Sequence, residues 1–442
     1  LTIPKFQTGS ILQIKSSSFV GNIMAITHQA SCSDVTSPHL SVNQALERII
    51  QAVKPIKGYE QVNLHGALGR ILAQDIQSPM QVPSYTNSAM DGYAINSADL
   101  NIEGVQSLQL IGSVFAGHPF EQTVQVGQCV RIMTGAMLPP GVDTVIMQEH
   151  VEVDNEQIRF NPQQHKAGQN VRLAGEDMQV GQTVLPAGKQ ILPPELGLLA
   201  SLGIAEVKIK PKLRVAFFST GDELCPVGQP LKLGKIYDSN RYQLFGVLAR
   251  LNVEVIDMGV IADDLAAIEQ AFSTASQIAD VLITSGGVSV GDADYVKQVL
   301  DKIGQINFWK IAMKPGHPLT FGTINQATFF GLPGNPVSAL VTFYQFVQPA
   351  LQRMMGQTNI KQPTWQVRCL SNLKKKKGRT EFQRGILMQQ DDGEWVVTST
   401  GAQGSHIIRS MSEANCFIVL QEYQTVVNKS EYVTVQPLSG LL

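Results

Sequence analysis

Hydrophobic positions change their period several times along this chain, and each change marks an architectural shift. Over 41–53, Ala45, Leu46, Ile49, Ile50 and Val53 share one helical face, and Ser41 with Gln44 forms a capping-box pattern. That stripe is a packing face. Between 78 and 160 the chain turns rich in β-branched residues, glycine and proline, with alternation over 107–114 and 144–160, which predicts a small β-rich domain. Helix returns over 192–202, with Pro193 and Pro194 near its start and Gly203 at its stop, before an alternating strand over 204–210. Pro211 marks a boundary.

Beyond it the pattern becomes βα alternation. Strands are expected at 214–218, 253–257, 281–284, 308–312 and 327–331, with helices at 240–250, 265–275, 293–303 and 337–354. This predicts a doubly wound, mostly parallel sheet that binds ligands beyond the carboxyl ends of its strands. Residues 315–352 carry no Asp, Glu, Lys or Arg, yet Gly322, Gly331, Pro333, Gly334, Pro336 and Pro349 interrupt them too often for a membrane span. A buried strand and helix are expected there. After 356, short strands at 365–370, 394–398, 417–420 and 432–435 predict a small barrel or sandwich.

Composition narrows the function classes. A chain of 442 residues, 43% hydrophobic, with a formal charge of −2, has no global basic field to suggest nucleic acid as its main partner. Cys32, Cys129, Cys225, Cys369 and Cys416 show no C-x-x-C spacing, which argues against structural zinc, an iron–sulfur cluster or a disulfide framework and fits a reducing cytosol. Residues 1–40 lack clear periodicity and a signal-peptide pattern; a poorly ordered leader is expected, with Met24 a candidate native start.

The chemistry concentrates at predicted strand ends. Val281, Leu282 and Ile283 run into Gly286, Gly287 and Ser289, whose backbone and hydroxyls suit an oxyanion. Asp292 and Asp294 fit either a divalent cation or, for Asp292, a simple helix cap. Acidic residues recur after the first two strands, in 218–224 with Asp222 and Glu223 and in 259–264 with Asp263. Hard oxygen donors of this kind suit Mg²⁺, although a single loop Asp more often caps a turn. Lys310 and Lys314 share side-chain parity if the strand there is continuous, so both would face one anion. At 331–339, Gly334 and Asn335 shape a turn that reads equally as a second cradle or as tight helix packing. The Lys374–Lys377 run reads as an exposed hairpin tip, since no aromatic is interleaved to stack bases.

Seven motifs occur in a recognisable order. They are Met90-Asp-Gly-Tyr-Ala94, Arg131-Ile-Met-Thr-Gly-Ala136, Gly175-Glu-Asp177, Ser219-Thr-Gly-Asp-Glu-Leu224, Ser285-Gly-Gly-Val-Ser289, Lys314-Pro-Gly316 and Gly331-Leu-Pro-Gly-Asn-Pro-Val-Ser338. The set resembles the molybdopterin molybdenumtransferases, the MoeA family related to the gephyrin E domain. The resemblance implies an enzyme that takes adenylyl-molybdopterin and molybdate, releases AMP and uses Mg²⁺. It also implies a cytoplasmic homodimer, in contact with other molybdenum cofactor biosynthesis proteins and with neither nucleic acid nor membrane. A related adenylyltransferase and a gephyrin-like scaffold are the alternatives.

Four domains are implied: a discontinuous mixed domain (41–77 and 161–210), a β-rich domain (78–160), the α/β molybdopterin-binding domain (211–356) and a small C-terminal β-barrel (357–442). Carried over residue by residue, Glu223, Asp263 and Asp294 would hold Mg²⁺ and, with Lys310 and Lys314, form the catalytic set. Asp91, Thr134, Asp177, Ser285, Gly286, Gly287, Ser289, Pro333, Gly334, Asn335, Arg384 and Ser405 would bind substrate, with Asp91 and Thr134 placed to act across the dimer. Arg172 is a further loop cation that is commonly just solvated. His317 stands where many relatives carry Lys or Arg, and Leu173 and Ala174 replace basic residues common in that loop.

Overall fold

The computed structural model describes residues 39–101, 104–286 and 295–438. Helix Val42–Ala52 starts on the expected capping box: the Ser41 hydroxyl accepts from the Gln44 amide, and the Gln44 side chain accepts from the Ser41 amide. Strand Glu60–Asn63 pairs antiparallel with Glu206–Ile209, and Ile76–Gln77 with Thr183–Leu185. The segments before and after the β-rich region therefore close on each other. Ala67, Leu72, Ile191, Leu199 and Ile209 form their shared core.

Inserted between them is a six-stranded sheet built from Gly92–Ile95, Gln106–Val114, Gln128–Ile132, Thr144–Met147, Glu152–Asp154 and Gln157–Phe160. His165 lies against it, 7% exposed, with ring centroids 5.5 Å from His150 and 6.0 Å from Phe160. Burial first, and His150 second, hold its imidazole below the ordinary value of 6.5; Gln169 offsets this only in part. The unfolded chain takes up this proton more readily than the folded one, so stability should fall as pH drops below 6.5. The urea midpoint is expected to decrease between about pH 7.5 and about pH 5.5, and less steeply in His165→Phe.

The α/β domain has six strands in the order Glu254–Ile261, Arg214–Thr220, Val281–Ser285, Ala327–Leu332, Pro318–Ile324, Gly304–Lys310. The first four are mutually parallel. Pro318–Ile324 is antiparallel to both of its neighbours, so Gly304–Lys310 again runs with the parallel set. The sequence pattern does not isolate Pro318–Ile324, because Gly316 before it, Pro318 at its first position and Gly322 inside it read as turn residues. It is nonetheless a full strand, turning at Asn325 (φ 53°) into Ala327–Leu332.

Alternate residues of the buried strands serve opposite faces. Val215, Phe217, Ile283 and Phe330 pack with Leu244 and Leu248 of helix Ser239–Arg250 and with the last helix. Ala216, Phe218, Leu282 and Phe329 pack with helices Leu265–Ile278 and Tyr295–Ile303. Helices thus cover both faces. The last helix runs Pro336–Thr342, widens into a π turn over Phe343–Val347 and resumes as Gln348–Met354, where Pro349 cannot donate an α-helical hydrogen bond.

Trp365–Cys369, Thr380–Gln389, Trp395–Ser399, Cys416–Leu420 and Tyr432–Pro437 close into a barrel. Thr380–Gln389 has an additional neighbour. Met313–Lys314, just past the α/β sheet, pairs parallel with its first residues. Lys310 and Lys314 therefore belong to different sheets, which corrects the expectation of one continuous strand presenting both. In the lysine run, the Lys375 ammonium donates to the carbonyls of Gln421, Glu422 and Gln424 and braces that turn, while Lys376 and Lys377 are exposed.

Candidate active site

Three adjacent strands end together at the carboxyl edge of the α/β sheet. Ser219 is in register with Ser285, and Ser285 with Leu332. The chain turns at Gly286 with φ 88°, and a Cβ there would come within 2.7 Å of the Thr220 carbonyl oxygen, so only glycine fits. A Cβ on Gly334 would be 3.9 Å from the Gly286 Cα, which places the two glycine turns side by side. Asn240 ties them together: its amide nitrogen donates to Ser285 Oγ at 2.8 Å and to the Gly334 carbonyl at 2.7 Å.

The resulting cavity has a volume of about 330 Å³. Its lining includes Ser219, Thr220, Glu223, Tyr237, Asn240, Ser285, Gly286, Gly334, Asn335 and His406. Buried oxygens of Ser219, Thr220, Asp238 and Asn240 around it have no partner within the described protein. Unpaired buried polar groups are costly, and together they suit a polar, hydrogen-bonding ligand. A wider cleft of about 930 Å³ lies at the opposite edge of the sheet, beside Lys54, Lys57, Lys212 and Arg214, and contains none of the candidate residues.

Glu223 lines the cradle, and Asp263 lies close enough to feel it. Burial, then the charges of Asp222 and Glu223, raise the Asp263 carboxyl above its ordinary value. Asp264, rather than Asp263, caps the following helix by accepting from the Ala267 amide. Mutually repelling carboxylates fit a hard divalent cation. Among the described residues, however, no three His, Cys, Asp or Glu side chains are arranged to hold a metal. Asp294, the third expected ligand, lies outside the described residues, as do Gly287 and Ser289.

A second group gathers at the seam with the barrel. Lys310 is exposed at the end of its strand, and Lys314 pairs with Glu381 at 3.1 Å. Arg384 is 1% exposed. Its guanidinium donates to Ser410 Oγ at 3.0 Å and to the Gly404 and Ala402 carbonyls at 3.1 and 3.5 Å. Burial lowers its proton affinity to about 10, so it remains charged at neutral pH. The Ser405 carbonyl in the loop it braces accepts from the Val337 amide at 3.1 Å, and His406 and Ile408 line the cradle. Seam and cradle are thereby joined. His317, held below its ordinary value by burial and with its ring tilted 47° to that of His39 at 4.8 Å, contributes less positive charge than a lysine there would.

The third group stands on other sheets. Asp91 Oδ1 accepts from the Thr134 amide and hydroxyl, both at 2.7 Å, and these bonds hold its carboxyl below the usual range. Asp177 is exposed, and its amide donates to the Val82 carbonyl. Arg172 is exposed on a short strand paired with Asn87–Ser88. Among the described hydrogen bonds, none links Asp91, Thr134 or Asp177 to the cradle. Cys129, Cys225, Cys369 and Cys416 are buried and unpaired, and burial pushes the thiols of Cys129 and Cys416 up to about 12. No described helix is long and apolar enough to cross a membrane.

Asn240, Asp238 and His406 were not singled out from sequence. The Asp238-Ser-Asn240 signal reads as a helix start, and Asp238 does cap that helix; the cradle bond made by Asn240 lies across the fold. Residues 216–353 match the probable molybdopterin binding domain, flanked by the MoeA N-terminal region (domain I and II) over 40–203 and the MoeA C-terminal region (domain IV) over 366–438.

The chain belongs to the molybdopterin molybdenumtransferase family. It is 48% identical over 91% of its length, and all of the relative's, to the Haemophilus influenzae molybdopterin molybdenumtransferase. It is also 34% identical over 89% of its length to Dictyostelium discoideum gephyrin, spanning 61% of that protein. The crystal structure of the molybdopterin biosynthesis moeA protein from Pyrococcus horikoshii OT3 superposes with a TM-score of 0.79, at 27% identity, over 90% of this chain and 100% of that one.

Proposed function

We propose that this protein transfers molybdenum from molybdate to adenylyl-molybdopterin with release of AMP, in molybdenum cofactor biosynthesis. The observation that carries the reading is the cradle of Ser285, Gly286, Gly334 and Asn335 joined to a cationic seam through the loop braced by Arg384. Two anionic reactants must meet, and mutual repulsion is the first barrier to overcome. The cradle supplies backbone groups and hydroxyls for the phosphate-bearing pterin nucleotide. Lys310, Lys314 and the buried charge of Arg384 supply the field for molybdate or the pterin phosphate. Arg384 also fixes the loop that carries Ser405.

Glu223, Asp263 and Asp294 are the residues that would hold Mg²⁺, which when bound offsets phosphate charge. The molybdenum takes its sulfur ligands from the pterin dithiolene, which is consistent with the high pKa values of Cys129 and Cys416. Asp91 and Thr134 act from the second subunit of a cytoplasmic homodimer, a reading that rests on the family resemblance, with the Asp91 carboxylate held in place by the Thr134 amide and hydroxyl; Asp177 is a further substrate-binding residue.

Purified protein incubated with adenylyl-molybdopterin, Mg²⁺ and molybdate is expected to release AMP and yield active cofactor. AMP release that does not depend on molybdate would overturn the reading. ATP turnover with unmodified molybdopterin would instead identify the adenylyltransferase.

A further inference from the structure

Glu381 is a carboxylate with a side chain only 6% exposed, set where the barrel receives Lys314 from the preceding domain. Lys314 and Glu381 are register partners in the parallel pairing of Met313–Lys314 with Thr380–Gln389. The ammonium donates to Glu381 Oε1 at 3.1 Å, and Gln383 Nε2 donates to the same oxygen at 3.2 Å. The lysine end is 49% exposed. The Glu381 charge also favours the charged forms of Arg384 and Lys375, while Lys310 and Arg379 act together on His317. Among the described residues, Lys314–Glu381 is the one ion pair that Lys310, Lys314, Lys375, Arg379 and Arg384 make.

An ion pair with one buried and one half-exposed end is a poor brace for a domain joint, because desolvation of the carboxylate and solvent screening of the ammonium offset much of its Coulomb gain. Its effect on a neighbouring anion is larger. We infer that Glu381 is a positioning residue and internal counter-ion: it holds the Lys314 ammonium at the seam and competes for it with an arriving oxyanion. The inference rests on the proposed role of Lys314 in meeting molybdate or the pterin phosphate. The negative charge of Glu381 tempers anion affinity, so that the anion is both captured and let go.

Glu381→Gln keeps the shape and an acceptor oxygen while removing the charge. Molybdate binding by calorimetry is expected to tighten about three- to tenfold, the half-saturating molybdate concentration to fall in parallel, and kcat to decrease. Glu381→Asp should return all three toward wild type. In a Lys314→Met background the tightening should disappear, because the carboxylate acts through that ammonium. Binding that is unchanged or weaker in Glu381→Gln, with only a lowered melting temperature, would leave Glu381 a structural brace and overturn this inference alone. Wild-type protein that binds no molybdate would overturn the functional reading and this inference together.

Discussion

Asn240→Ala is expected to lower kcat/KM for molybdate-dependent AMP release by about 100-fold, the equivalent of about 2.7 kcal/mol. The residue is 9% exposed and holds two loops with one nitrogen, so its loss frees both the Ser285 hydroxyl and the Gly334 carbonyl. Each buried group left without a partner costs about 1–3 kcal/mol. The cradle then spreads or takes in water, and the backbone groups no longer converge. Asn240→Asp should fare little better, because a carboxylate cannot donate to the Gly334 carbonyl. Tyr242→Ala, at a 55% exposed position on the same helix, serves as the control and should stay close to wild type. Activity of Asn240→Ala within about threefold of wild type would show that the two turns hold their places without this link.

Arg384→Ala should destabilise the protein by about 3 kcal/mol and abolish most activity. The side chain is among the largest that are fully buried, and its removal leaves a cavity beside the carbonyls of Ala402 and Gly404 and the hydroxyl of Ser410. Without those bonds the 402–410 loop loses the brace that fixes Ser405 against Val337. Arg384→Lys distinguishes geometry from charge. A lysine ammonium retains the charge but cannot span the same acceptors with a planar fork, so it should remain both unstable and slow. Urea unfolding and AMP release, measured on the same samples, test this. A lysine variant as stable and active as wild type would mean that charge alone is required.

Local order is well written in the chain. The Ser41 capping box, the helix stop at Gly203 and the β-branched run Val281–Ile283 each depend on residues a few positions apart, and the structure forms them as the pattern predicts. Long-range closure is another matter. Nothing in Glu60–Asn63 names Glu206–Ile209 as its partner, and the discontinuous domain comes from family resemblance rather than periodicity. Pro318–Ile324 is hidden because glycine and proline read as breaks, although Asn325 beyond it is a hairpin signal.

The candidate site divides along the same line. Ser285, Gly286, Gly334 and Asn335 lie at strand ends that the βα pattern predicts, and the structure brings them together. Asn240 and Glu381 are absent from that reading because their importance lies in what they touch, across 94 residues of sequence for Asn240 with Gly334 and 67 for Glu381 with Lys314.

The pairing of Met313–Lys314 with Thr380–Gln389 also bears on how the chain is assembled. Part of the barrel's outer edge is completed by a segment made before any barrel strand, with the Thr380 amide donating to the Ala312 carbonyl. As synthesis proceeds from the amino end, the α/β domain can present that short template to the barrel strands as they emerge. A C-terminal fragment produced alone would meet solvent with the Thr380 amide bare, an open place where foreign strands can add.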